Sequence, residues 1–207
     1  MVFDSGIGGT TVLEQIQAVI PDADYSYFMD NALLPYGAQS QQTIIARLFA
    51  LLKFIETANL HVDILVIACN TASTSALETI RPNTNIEVVG VVPAIKPACA
   101  ISKSKHIGLL ATPSTIKSRY TANLISTHSQ GTQVSLYGST ALVEIAETLF
   151  HTQKINKAKL EKVLSDLAIA EDIDVLVLGC THFPLLASAI SDYFKQQVLL
   201  IDSGKAI

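Results

Sequence analysis

Short apolar runs alternate with longer amphipathic stretches along most of the chain. The runs are rich in β-branched residues, which is typical of strands buried on both faces of a parallel sheet. Between them apolar residues recur at helical spacing, as Ile44, Leu48, Leu51 and Ile55 do after Ser40, a residue suited to cap a helix. Strands are predicted near residues 1–3, 25–29, 64–67, 86–90, 107–111, 134–137, 175–178 and 198–201.

This alternation predicts parallel sheets covered by helices on both faces. The pattern also repeats. The apolar run before Cys69 has a counterpart before Cys180, and the sequence of residues 3–6 is similar to that of residues 201–204. We therefore predict an α/β fold of two pseudo-symmetric lobes, each a parallel sheet flanked by helices, with the active site in the cleft between them. The first lobe should span residues 1–92 and be rejoined by residues 200–207, and the second should span residues 93–199.

Composition narrows the class of protein. With 49% hydrophobic and 15% charged residues, the 207-residue chain can fill a core, which excludes a disordered protein. A net charge of −4 without a run of Lys or Arg gives no indication of a basic surface that would bind nucleic acid. No stretch approaches the ~20 apolar residues of a membrane span, and the N-terminus has no signal-like pattern. Three cysteines without framework spacing fit a reducing compartment, so we expect a soluble, cytoplasmic protein.

The two repeated cysteines carry the candidate chemistry. Each follows a predicted strand and precedes a helix, at the sheet edge where α/β proteins bind ligands. A helix N-terminus lowers the pKa of a thiol, so a thiolate and a thiol facing each other can take a proton from one side of a carbon and return it to the other. Cys69 or Cys180 alone would fit a small buried hydrophobe, but the repeat favours a functional pair. Cys99, on an apolar helix face, fits core packing.

Other candidates lie at the same predicted edge. Asp4 ends the first strand and either orients a thiol or caps the following helix, while the glycine-rich residues 5–9 can hold a carboxylate with backbone N–H groups. His182 is close enough to Cys180 in sequence to act on the same reacting group. No spacing of His, Cys, Asp and Glu indicates a metal site.

Together these segments resemble glutamate racemase, of the cofactor-independent aspartate/glutamate racemase superfamily. The similar stretches are residues 3–9, 30–32, 35–37, 68–73, 90–94, 108–112, 179–186 and 202–204, which follow the family's order. The aspartate racemase branch opens with a Gly-Gly-Met-Gly-like segment that this chain lacks. Family members begin with a fuller first strand and continue a few dozen residues further, so we expect this chain to be shortened at both ends.

The resemblance implies interconversion of L- and D-glutamate without a cofactor, supplying D-glutamate for peptidoglycan. It implies that Cys69 and Cys180 are the two bases and that Asp4 and His182 assist them. It further implies a substrate shell of Asp4, Ser5, Pro35, Tyr36, Gly37, Cys69, Asn70, Thr71, Thr112, Glu144, Cys180, Thr181 and His182.

Residues 137–139 resemble the proteobacterial branch, whose members can require a peptidoglycan precursor as activator. The sequence leaves open whether the protein forms a homodimer. Three alternatives also stay open. The first is a related racemase or isomerase acting on aspartate, a hydantoin or maleate. The second is a shortened, inactive protein that binds glutamate or a protein partner. The third, a cysteine hydrolase using Cys180 and His182, leaves the repeat at Cys69 unexplained.

Overall fold

A computed structural model describes residues 1–204 of the chain. The first half forms a four-stranded parallel sheet in the order β2-β1-β3-β4. Its strands are β1 (Val2–Asp4), β2 (Tyr27–Met29), β3 (Ile64–Ile67) and β4 (Glu87–Gly90). Leu65 and Ile67 on one face of β3 and Val66 on the other are all buried, because helices cover the sheet on both faces.

The second half repeats this arrangement as a sheet in the order β6-β5-β7-β8, again parallel throughout. Its strands are β5 (His106–Ala111), β6 (Gln133–Gly138), β7 (Val175–Gly179) and β8 (Leu199–Asp202). The eight predicted strands all occur, with ends at most two residues from those predicted. The matching strand orders confirm the predicted α/β fold of two lobes.

The helices that flank the sheets are α1 (Thr10–Val19), α2 (Gln41–Thr57), α3 (Asn70–Ile80), α4 (Ile95–Ile101), α5 (Pro113–Lys117), α6 (Arg119–His128), α7 (Ala141–Thr152), α8 (Lys157–Asp166) and α9 (Ala187–Tyr193). Short 3₁₀ turns lie at Asn31–Leu33, Tyr36–Ala38, Arg81–Asn83 and Phe183–Leu186. None of the helices within residues 1–204 is both long enough and apolar enough to cross a membrane.

Side-chain caps set several helix starts. Ser40 accepts a hydrogen bond from the Thr43 N–H and begins α2, as predicted. Thr112 accepts from the Thr115 N–H and begins α5, with Pro113 in the first turn. The helical stretch after Thr112 is divided at Ser118, whose hydroxyl caps α6 by accepting from the Thr121 N–H.

The C-terminal strand corrects one part of the predicted domain organisation. Residues 200–207 were expected to rejoin the first lobe, but residues 199–202 form β8 and pair with β7 in the second sheet. An apolar run of this kind can complete either sheet, so its pattern does not specify the partner. Beyond β8, the Ser203 hydroxyl donates to the Val92 carbonyl at 2.6 Å, where the chain crosses between lobes. Residues 205–207 lie outside the described part, and the exact lobe boundary at 92 stays a prediction.

Candidate active site

Cys69 and Cys180 occupy equivalent positions in the two lobes. Cys69 follows β3 and caps α3, where its Sγ accepts from the Ala72 N–H at 3.5 Å and lies 3.9 Å from the Ser5 hydroxyl. Cys180 follows β7, and its Sγ lies 3.8 Å from Nδ1 of His182. Both side chains are buried, and both line the same small cavity. The fold therefore brings the two thiols, which are more than a hundred residues apart in sequence, to one place.

The cavity between the lobes has a volume of about 10 Å³, which is room for about one water molecule. Small-molecule sites usually enclose roughly 300 Å³ or more, so the lobes must separate to admit an amino acid. The cavity walls contain most of the expected substrate shell together with one apolar residue from α7. They consist of Ser5, Pro35, Tyr36, Gly37, Cys69, Asn70, Thr71, Thr112, Val143, Cys180, Thr181 and His182.

The two sulfurs have different electrostatic surroundings. Burial, reinforced by the nearby Asp4 carboxylate, raises the pKa of Cys69 well above its usual range and favours the neutral thiol. Burial works against the charged form of His182, but its hydrogen bonds with Cys180 and Glu147 raise its pKa to about 10. His182 is therefore an imidazolium at neutral pH, with its positive charge beside the Cys180 sulfur.

Glu147, which the sequence analysis missed, is the partner of His182. Its Oε1 accepts from Nε2–H of His182 at 2.6 Å and from the backbone N–H of Ile7 at 3.1 Å. The helical spacing holds a signal that could have identified it. Val143 lines the cavity, and the residue four positions later lies on the same face of α7.

Glu144 does not take the expected place in the substrate shell. Its side chain is 62% exposed, lies outside the cavity wall and pairs with Lys159 at 3.4 Å. The physical reason is the helix period, because one residue after Val143 the side chain points roughly 100° away around α7.

Asp4 lies behind the cavity wall rather than in it. Its carboxylate accepts from the Gly6 N–H at 2.9 Å and from the Thr181 hydroxyl at 3.0 Å. Burial is the main cause that raises the pKa of Asp4. The alternative of helix capping fails, since α1 begins at Gly9 without a side-chain cap. Asp4 thus joins the first lobe to Thr181, and its charge contributes to the raised pKa of Cys69, although it does not line the cavity.

Three buried threonines join the lobes on the other side of the site. The hydroxyl of Thr71, in α3, lies 2.9 Å from that of Thr112 and 3.2 Å from that of Thr115. Thr112, which alone would indicate only a helix cap, therefore also contacts the opposite lobe. Beside them the Asn70 side chain donates to the Val91 carbonyl at 3.3 Å.

Residues 35–37 form the wall nearest Thr112. Tyr36 is buried, and its hydroxyl donates to Oδ2 of Asp30 at 2.7 Å, so it is not aimed into the cavity. Gly37 meets the second lobe so closely that a Cβ there would lie 2.5 Å from Cβ of Thr112. Glycine is required at this position because any side chain would collide with the facing lobe.

Cys99 is buried in the core of the second lobe beside Ile95 and Ile107, as predicted. Within residues 1–204, there is no group of three or more His, Cys, Asp or Glu side chains placed to hold a metal ion.

A family model described as Asp/Glu/Hydantoin racemase matches residues 10–207. Among curated relatives, a glutamate racemase from Shewanella frigidimarina is 49% identical over 207 residues, which is 100% of this chain and 79% of the relative. A second, from Shewanella sp. strain ANA-3, is 50% identical and is covered over 75% of its length. The chain thus spans about three quarters of the length of these relatives.

Solved structures agree with the sequence relatives. Escherichia coli glutamate racemase, in complex with L-glutamate and the activator UDP-MurNAc-ala, matches with a TM-score of 0.92 at 38% identity, over 99% of this chain and 78% of that one. A glutamate racemase isoform from Bacillus anthracis matches with a TM-score of 0.81 at 30% identity, over 99% and 76%. An aspartate racemase from Picrophilus torridus, at 15% identity and a TM-score of 0.56, shares the fold alone.

Proposed function

Because the chain belongs to the Asp/Glu/Hydantoin racemase family, we propose that it is a glutamate racemase that exchanges L- and D-glutamate by proton transfer at Cα between two cysteines. The observation that carries this proposal is the single cavity lined by Cys69 and Cys180, one from each lobe. Relatives at about half identity over the whole chain are glutamate racemases, which favours glutamate over aspartate, hydantoin or maleate.

The charges around the cavity suggest which sulfur is the base before substrate binds. We assign the base to Cys180, whose sulfur lies 3.8 Å from Nδ1 of His182, and the acid to Cys69, whose pKa is raised mainly by burial. The resting site then holds a base on one side and an acid on the other. It is ready for the enantiomer that presents its Cα–H to Cys180.

In the proposed step, the Cys180 thiolate takes the Cα proton and the C–H electron pair stays on Cα. The Cys69 thiol then donates its proton to the opposite face of that carbon. The product is the other enantiomer, with Cys69 left as thiolate and Cys180 as thiol. That state is ready for the reverse reaction, so neither direction needs an outside acid or base.

The cavity supports removal of a weakly acidic proton in two ways. Its small volume means that little water remains once the lobes close, so hydrogen bonds and charges act at low dielectric. The start of α3 supplies the backbone N–H groups of Asn70 and Thr71 and the Thr71 hydroxyl at a helix N-terminus, where a substrate carboxylate is stabilised. Asp4 and Glu147 act indirectly, through Thr181 and His182 respectively.

We also propose a metabolic role, an activator and a cellular compartment for the protein. D-glutamate would serve peptidoglycan synthesis. A peptidoglycan precursor is a candidate activator, because the E. coli relative binds UDP-MurNAc-ala as activator. The three cysteines are all unpaired, which fits the reducing conditions of the cytoplasm.

The deciding experiment follows the circular dichroism of L-glutamate and, separately, D-glutamate with the purified chain, with and without UDP-MurNAc-ala. Both signals should decay to the same racemic end point. Exchange of the Cα proton with solvent deuterium, measured in parallel on glutamate, aspartate and a 5-substituted hydantoin, tests the substrate, and conversion of maleate to fumarate tests the isomerase alternative. The double variant Cys69→Ala/Cys180→Ala is the control.

Absence of exchange on glutamate in every condition would contradict the proposal. Exchange on aspartate alone would assign the chain to a related racemase. Glutamate binding without exchange would instead favour a binding protein, and an acyl-enzyme burst with an ester probe would favour the cysteine hydrolase.

A further inference from the structure

Asp30, just after β2, is a buried carboxylate that lies outside the cavity. Arg47 of α2 donates to both of its oxygens, from Nε to Oδ2 at 2.7 Å and from Nη2 to Oδ1 at 2.8 Å. Such two-point pairing is the strongest that an arginine makes with a carboxylate. Because the Arg47 side chain is 43% exposed, the pair runs from the surface of α2 to the interior of the first lobe.

The same carboxylate holds Tyr36. The Tyr36 hydroxyl donates to Oδ2 of Asp30 at 2.7 Å, the oxygen that also accepts from Nε of Arg47. The hydrogen bonds from Arg47 are the main cause that lowers the pKa of Asp30, so the carboxylate is ionised. Burial, together with Asp30, raises the pKa of Tyr36 and keeps its hydroxyl a donor.

The segment attached to Tyr36 is a wall of the active site. Pro35, Tyr36 and Gly37 all line the cavity, and Gly37 is where the first lobe meets Thr112 of the second. The ring of Tyr36 rests beside Phe3, but its one side-chain hydrogen bond within residues 1–204 goes to Asp30. The backbone N–H of Asp30 in turn donates to the Asp4 carbonyl at 3.0 Å, which ties this segment to β1.

We infer that Asp30 and Arg47 form a positioning pair that holds residues 35–37 in place as the substrate-facing wall of the closed cleft. This inference rests on the proposed racemase function for its effect on turnover. Neither residue reaches the cavity, so neither is catalytic. The wall would contact the substrate equally before and during proton transfer, so loosening it weakens binding more than it slows the chemistry.

Two variants test the hydrogen bonds that link Arg47, Asp30 and Tyr36, each at a different residue. Tyr36→Phe removes only the hydroxyl and keeps the ring, and Arg47→Met removes the charge that pairs with Asp30. Each should raise KM for both glutamate enantiomers about tenfold or more, the loss expected for one hydrogen bond to a charged group, with kcat changed less than about threefold. Arg47→Lys keeps the charge without the planar fork and should give an intermediate KM.

The matched control is Lys53→Met, which removes the exposed ion pair between Lys53 and Glu56 on the same helix. It should leave KM unchanged. Thermal midpoints for all variants show whether a change in KM merely follows a loss of stability.

A second measurement does not depend on turnover. The rate of alkylation by iodoacetamide is followed at each cysteine by mass spectrometry, in the absence of substrate. In Tyr36→Phe and Arg47→Met the labelling of Cys69 should become several-fold faster, because the loosened wall exposes the cavity. Labelling of Cys99, in the core of the second lobe, should stay at the wild-type rate.

Equal acceleration at Cys99 would show general loosening and overturn the inference, as would unchanged labelling of Cys69. A normal KM in Tyr36→Phe and Arg47→Met, with only a lowered thermal midpoint, would also overturn it. If the wild-type chain fails to racemise glutamate, the proposed function is wrong, while the labelling pattern still tests the positioning pair.

Discussion

Glu147 accepts the Nε2–H of His182 at 2.6 Å, and the same Oε1 accepts the backbone N–H of Ile7 at 3.1 Å. The first bond lies within the second lobe and the second crosses to the loop after β1. Burial is the largest single influence and would raise the pKa of Glu147, but the hydrogen bonds from His182 and Ile7, together with the positive charge of His182, lower it. One ionised oxygen therefore both orients the imidazole beside Cys180 and joins the lobes.

Replacing that carboxylate tests its role directly. We expect Glu147→Gln to lower kcat/KM about 10- to 100-fold, because His182 loses the charge that stabilises its imidazolium. Glu144→Gln is the matched control on the same helix, where the side chain is exposed and pairs with Lys159. It should be close to wild type in the same circular dichroism assay. A Glu147→Gln variant as active as Glu144→Gln and wild type would show that the Glu147 carboxylate does not act through the site.

The proposed two-cysteine mechanism makes an asymmetric prediction. Cys69→Ser and Cys180→Ser should each abolish racemisation, since a hydroxyl is a far weaker acid than a thiol. Each variant keeps one sulfur and can still exchange the Cα proton of one enantiomer with solvent deuterium, which NMR can follow. Cys99→Ser should retain turnover. Racemisation at the wild-type rate by either site variant would rule out the two-base mechanism.

His182 predicts how stability depends on pH. Its pKa is about 10 in the folded protein against 6.5 for an ordinary histidine. A raised pKa stabilises the fold fully below pH 6.5, and this contribution is lost as the pH rises to about 10. Urea unfolding of wild type and His182→Gln should therefore differ most below pH 6.5 and converge toward pH 10. A difference independent of pH would show that the imidazolium is not the stabilising form.

The contact between Gly37 and Thr112 predicts the effect of a single added methyl group. In Gly37→Ala the new Cβ would lie 2.5 Å from Cβ and 2.7 Å from Cγ2 of Thr112, so one lobe must shift. We expect a loss of about 1–3 kcal/mol in the free energy of unfolding and a higher KM, because the cleft no longer closes fully. Denaturant titration and steady-state kinetics measure both. A variant with wild-type stability and KM would mean that this contact does not limit closure.

The sequence predicted the strands well because each is a short, buried apolar run followed by turn residues, as at Cys69 and Cys180. It did not reveal which sheet takes β8, since the same run satisfies either. Of its candidate residues, both cysteines and His182 line the cavity, whereas it named Glu144 rather than Glu147, a choice that depends only on which face of α7 each residue occupies. It also placed Asp4 among the residues that contact the substrate, whereas the Asp4 carboxylate lies behind the cavity wall and accepts from Thr181. Residue type does not reveal this position, because it depends on the backbone geometry around β1.

The two lobes repeat one strand order, yet the sulfurs they present have unlike neighbours, His182 at Cys180 and Ser5 at Cys69. Mirror-image substrates have equal free energy in water, so the equilibrium constant of racemisation is unity whatever the enzyme does. The ratio kcat/KM must then be the same for L- and D-glutamate. The unlike neighbours can therefore change kcat and KM only together. One enantiomer then has a lower KM and a lower kcat, and the other has a higher KM and a higher kcat.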